Sequence, residues 1–166
     1  VYLHLKNAYD NGENKEARKG MLKAAYCAGV AFTKSYVGYV HAVAHSLGGQ
    51  YGTPHGLANA VLLPVVLRMY GPACEKKLAK LARKTEVADA EMNDAAAAER
   101  FIDWIQEMND YMQIPRTFPD IRDEDIPEMA RHADKEGNPL YPVPKLMNRR
   151  ELEQIYDNRA ALGNDI

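Results

Sequence analysis

The sequence predicts an all-α fold, a helical bundle, on three observations. Apolar and small residues recur at three- and four-residue intervals through most of the chain. No stretch alternates apolar and polar residues as a half-buried strand would. Asparagine or aspartate followed three residues later by glutamate marks helix starts at Asp125 and Asn148.

Taken in order, Met21, Leu22, Ala25, Ala28, Gly29 and Phe32 line one face of a helix from about Lys15 to Tyr36, with Gly29 suited to close packing. A second helix carries Tyr39 to about Leu47 and is expected to stop at Gly48 and Gly49. The loop GGQYGTPHG follows. The segment LANAVLLPVVLRMYG is apolar nearly all round, as a central buried helix is, with Pro64 as a kink and Gly71 as its end. Pro72 suits a first helical turn, and Leu78, Leu81 and Ala82 continue an apolar stripe on the next helix. From Asp94 to Met112, Phe101, Trp104, Ile105, Met108, Tyr111 and Met112 fall on a single stripe. Asp125 with Glu128 reads as a capping box opening a short helix. The proline-rich KEGNPLYPVPKLM is then a loop. Asn148 with Glu151 forms a second box, flanked by Met147 and Leu152 as a staple, and the last helix runs to about Leu162.

At 166 residues and 46% hydrophobic composition, the chain is long enough for one domain with a genuine core, expected to span 1–166. A formal net charge of -2, from 21 basic and 23 acidic residues, provides no broad positive field for phosphate backbones or anionic lipid. Nucleic acid and membrane partners are therefore not expected. The apolar run Leu57 to Val66 is interrupted by Asn59 and Pro64 and falls short of the roughly 20 residues of a membrane span. Cys27 and Cys74 have no paired spacing and the start lacks a secretory pattern, which fits a reducing cytoplasm. The opening VYLHLKNAYDNGENKEARKG reads as a helix entered midway, so the chain is expected to be a fragment.

The stretch HAVAHSLGGQYGTPHG carries the chemistry. His41 and His45 stand four residues apart and share one helical face, and the glycine-rich turn can fold His55 back toward them. Neutral imidazole nitrogens suit a divalent ion of borderline softness, zinc or ferrous iron, with a position left open for catalysis. The plainer alternative makes His41 and His45 satisfied polar groups near the core and His55 a helix cap after Pro54. Position 42 holds Ala rather than Glu, so the zinc-protease pattern HExxH is absent.

The longer segment AGVAFTKSYVGYVHAVAHSLGGQYGTPHGLANAVLLP closely resembles the signature of the iron-containing, NAD(P)-dependent alcohol dehydrogenases. The resemblance is strongest over about residues 15–75. It implies the helical C-terminal domain of such an enzyme, with the metal, Fe2+ or Zn2+, in a cleft facing a dinucleotide-binding domain. It further implies that His41 and His55 are metal ligands, and that His45 is catalytic, lying beside the nicotinamide and alcohol. Phe32 would line the same cofactor pocket. The family's remaining ligands, an aspartate and a histidine within a DALTHAIEA-type helix, have no match here: His4 is the only upstream histidine and lacks the aspartate four residues before it. The glycine cluster GGQYG follows a helix rather than a strand, so no dinucleotide fingerprint is read. Gly52 and Val65 also depart from the residues common in the family.

In a complete enzyme of this kind the ion polarises the alcohol oxygen so that hydride can leave to the nicotinamide. An imidazole suits an outward proton relay, since its free pKa of about 6.5 lies near working pH. With only part of the ligand set in this chain, little metal and no turnover are expected of it alone. The resemblance implies a small alcohol or aldehyde as substrate, and uncovered apolar cleft residues point to a homo-oligomer. The alternative from another class is a non-catalytic helical domain that keeps the signature as packing and binds a protein partner.

Overall fold

The computed structural model describes residues 1–157, which are helical with no strand among them. They form two compact units, 1–37 and 38–157. The predicted continuation of the last helix to Leu162 lies outside the described residues.

The first unit holds α1 (Leu5–Asp10) and α2 (Lys15–Ser35). Asn14 caps α2 by accepting from the Ala17 N–H at 3.1 Å, and a Cβ at Gly20 would run into the His4 ring. His4 is therefore a packing residue of this hairpin. The helix forms where its periodicity predicted, but the expected close packing at Gly29 is absent: nothing lies within 4 Å of its Cβ position. Leu22, Tyr26 and Phe32 are likewise exposed, because Ala17 alone is buried on this helix.

The second unit contains α3 (Tyr39–Tyr51), α4 (His55–Tyr70), α5 (Glu75–Lys84), α6 (Asp94–Tyr111), α7 (Ile126–Gly137) and α8 (Arg149–Tyr156). One apolar cluster joins α3, α4, α7 and α8 through Tyr39, Leu47, Leu62, Met129, Leu152 and Ile155. Each large aliphatic buried there contributes about 1.5–3 kcal/mol. A second cluster of Ala79, Ala82, Ala88 and Ala97 joins α5 to α6. Alanine at those positions lets the two backbones approach, which gives the alanine run 95–98 a packing role.

Several element ends differ from expectation, each for a local reason. Helix α3 passes through Gly48 and Gly49 and ends at Gly52, whose φ of 67° is left-handed and whose N–H bonds the Gly48 carbonyl at 2.9 Å. The expected long loop thus shrinks to residues 52–54, and His55 opens α4. Neither Asn59 nor Pro64 interrupts α4, so His55–Ala73 is long and apolar enough, by length and composition alone, to cross a membrane. Ala58, Leu62 and Val66 of this segment nevertheless sit in the core. On α5 the buried stripe is Leu78, Ala79 and Ala82, while Leu81 is exposed. On α6 the buried residues are Ala97, Ala98, Ile102 and Asn109, and Tyr111 is exposed.

The two expected capping boxes have different outcomes. At Asn148 both reciprocal bonds form, 3.0 Å from the Glu151 N–H and 2.9 Å from the Asn148 N–H, with Met147 and Leu152 buried alongside. At Asp125 no capping bond exists, because its carboxylate accepts from the Tyr51 hydroxyl at 2.5 Å and from Arg122 at 2.9 Å. Glu128 is likewise taken by Arg131 and His132. Residues 135–137 belong to α7 rather than to a loop.

Candidate metal centre

The site is built by α3 and the start of α4. His41 and His45 lie one turn apart on α3, and the tight return 52–54 delivers His55 as the first residue of α4. Two glycines make that return possible. Gly52 adopts the left-handed reversal, and a Cβ at Gly48 would stand 3.3 Å from the Thr53 carbonyl oxygen, so a small residue lets the returning chain lie close on the helix.

The three predicted imidazoles converge. Ring centroids are 5.3 Å apart for His41 and His55, 5.9 Å for His41 and His45, and 5.2 Å for His45 and His55, the last pair stacked at 17°. His41 is half-buried, whereas His45 and His55 are exposed. Burial holds the His41 pKa below the ordinary imidazole value, and the neighbouring His55 and His45 push it the same way against the opposing pull of Glu136. A neutral ring with a free lone pair is the form that binds a cation.

Two imidazoles held by one tetrahedral ion at about 2.0–2.1 Å have ring centres about 5 Å apart; His41 and His55, tilted by 54°, fit a shared ion, whereas the in-plane lone pairs of the stacked His45 and His55 rings do not converge. Among the described residues, no group of three or more His, Cys, Asp or Glu is arranged to hold one. The donor set among the described residues is therefore partial. Asn59, one turn beyond His55, sets its amide against that ring with Nδ2 3.0 Å from Nε2, donates to the His55 carbonyl at 2.9 Å, and leaves its buried Oδ1 without a partner.

Two residues of the site were not legible in the sequence. Glu136, in the last turn of α7, stands 2.7 Å from His45 Nδ1. Tyr141 donates its hydroxyl to the same carboxylate oxygen at 2.8 Å, and burial, aided by Glu136, pushes its phenol up to about 12. The sequence placed both in a proline-rich loop, and only the packing of α7 on α3 brings them to His45. Phe32 belongs to α2 of the first unit and is exposed.

The chain as a whole is similar to known proteins. The C-terminal model of the Fe-containing alcohol dehydrogenase family matches residues 1–160. The 1,3-propanediol dehydrogenase of Citrobacter freundii is 38% identical over 158 residues, covering 94% of this chain and 41% of the relative. The NAD-dependent methanol dehydrogenase of Bacillus methanolicus is 36% identical over 157 residues, with 93% and 41% covered. A crystal structure of 1,3-propanediol oxidoreductase superposes with a TM-score of 0.89 at 37% identity over 95% of this chain and 41% of that one, and an alcohol dehydrogenase from Oenococcus oeni with 0.87 at 34%. The chain thus spans about two-fifths of the length of these relatives. With that match and its all-helical fold, the chain belongs to the Fe-containing alcohol dehydrogenase family, whose C-terminal part it represents.

Proposed function

We propose that this chain supplies the metal- and substrate-facing residues of an alcohol dehydrogenase that oxidises an alcohol to an aldehyde or ketone with NAD(P). His41 and His55 hold the divalent ion, Fe2+ or Zn2+, together with donors beyond the pair. His45 lies beside the nicotinamide and alcohol and passes the alcohol proton outward.

The observation that carries this reading is the 5.3 Å separation of the His41 and His55 rings. Two imidazoles at that distance are matched to one ion and are more than packing requires of half-buried and exposed side chains. When bound, such an ion acts as a Lewis acid that lowers the pKa of the alcohol oxygen. The chain's own work is then to orient and to move a proton. His41, kept neutral by burial, offers nitrogen rather than positive charge to the centre. His45, exposed at the rim beside both, has a path to solvent.

The test is metal binding to the purified protein under anaerobic conditions, read by elemental analysis after gel filtration with added Fe2+ or Zn2+. A partial ligand set predicts weak, chelator-sensitive binding that vanishes in the His41→Ala/His55→Ala double variant. Equal binding by that variant would place the ion elsewhere and overturn the assignment.

A further inference from the structure

We propose that Glu136 is a positioning residue for His45: its carboxylate, held by the Tyr141 hydroxyl, fixes the imidazole as the Nδ1-protonated tautomer and leaves Nε2 as the free acceptor of the site. The functional meaning of this rests on the role of His45 proposed above; the tautomer does not.

A carboxylate only accepts hydrogen bonds, so the 2.7 Å contact between His45 Nδ1 and Glu136 Oε1 requires the hydrogen to be on Nδ1. The lone pair of the neutral ring is then on Nε2. Tyr141 donates to the same Oε1 at 2.8 Å, which fixes the direction from which the carboxylate can face the ring. An imidazole that is to take a proton from a substrate needs its acceptor nitrogen free and its other nitrogen occupied, and this pair of bonds provides both.

The backbone places Glu136 with little freedom. Its neighbour Gly137 is buried, and a Cβ there would lie 2.8 Å from Tyr39 Cε1, so α7 ends in direct contact with the first residue of α3. The Tyr39 ring cannot yield, since its hydroxyl donates to Asn138 Oδ1 at 2.6 Å and accepts from the Met147 N–H at 3.0 Å. On the far side of His45, Ser46 Oγ donates to the Met129 carbonyl at 2.9 Å. The two helices are thus clamped before and after His45. Because the His45 ring stacks on His55 at 17°, holding one ring orients the pair.

The experiment is a long-range proton–nitrogen correlation spectrum of the full chain labelled with 15N-histidine, above the pH at which imidazoles titrate, with His45→Gln identifying the signals of that ring. Wild type and Glu136→Gln, which keeps an acceptor, are expected to show the Nδ1-protonated pattern. In Glu136→Leu, the majority form should switch to Nε2-protonated, and Tyr141→Phe should give a mixture. An Nε2-protonated His45 in the wild type overturns the proposal whether or not any variant folds. So does a Glu136→Leu protein with unchanged helical circular dichroism and an unchanged His45 pattern. Metal retention, read by elemental analysis as above, separates the two readings. If the tautomer depends on residue 136 while the His41→Ala/His55→Ala protein retains metal as the wild type does, positioning stands and the proposed metal site falls. If that double variant loses the metal while Glu136→Leu leaves the tautomer alone, the metal site stands and positioning falls.

Discussion

The His41 and His55 rings lie 5.3 Å apart although they belong to different helices, and the residue that makes this possible is neither of them but Gly52 at φ 67° between α3 and α4. A residue with a Cβ costs about 1–2 kcal/mol in that conformation. Gly52→Ala should therefore lower stability by about that amount and weaken metal retention with it. Gly49 is the control, since it sits inside α3 with open space at its Cβ position. Gly49→Ala should raise stability by up to about 1 kcal/mol through helix propensity. Urea denaturation followed by circular dichroism checks both, and a pair of equal effects would mean that the left-handed turn is not what distinguishes the two glycines.

The contact of Gly137 with Tyr39 predicts a costlier change. Gly137→Ala places a methyl 2.8 Å from a ring that is fixed at its hydroxyl, and overpacking of this kind costs about 1–3 kcal/mol. The strain has one outlet, the parting of α7 from α3, so the His45 tautomer signal should also lose its uniformity. A drop in urea midpoint with an intact His45 signal would show that the two helices adjust without moving Glu136.

At the other end of the unit, the complete capping box predicts that Asn148→Ala costs about 1 kcal/mol. Asp125→Ala should not behave as the loss of a cap. Its carboxylate instead ties Tyr51 to Arg122, so its effect should be reproduced by Tyr51→Phe and be largely absent when that substitution is already present. A double-mutant cycle on thermal midpoints measures the coupling.

Base denaturation offers a readout of the core. Burial pushes the Tyr70 phenol up to about 12, whereas in an unfolded chain it ionises near 10. Folding thus favours the protonated form. The stability this represents is fully present below about pH 10 and is lost as pH rises from there toward about 12. Tyr70→Phe should flatten the fall in urea midpoint over that window without abolishing it, because Tyr141 and Tyr156 are raised as well. An unchanged slope would mean that Tyr70 ionises without unfolding.

Much of the local structure was readable from residue order alone. The helices at 15–35 and 94–111, the break at Gly71 and the Asn148 box all arise from contacts within a few residues. Where reading failed, a distant partner had intervened. Gly48 and Gly49 look like a helix stop, yet Gly48 serves the close return of Thr53. Asp125 has the pattern of a cap, but Tyr51 claims its carboxylate. Leu81 continues a stripe in the sequence, while alanines at 79 and 82 make the actual contact with α6.

The amino-acid order by itself determined the all-helical class, the turn that returns His55 toward His41, and the family signature around them. Those depend on helical period, glycine conformation and spacing, all properties of short segments. What only the tertiary structure decided is that a carboxylate more than ninety residues away, Glu136, meets His45 at 2.7 Å with Tyr141 behind it. No periodicity encodes such a meeting, because it is set by the packing of α7 on α3 through Tyr39 and Gly137.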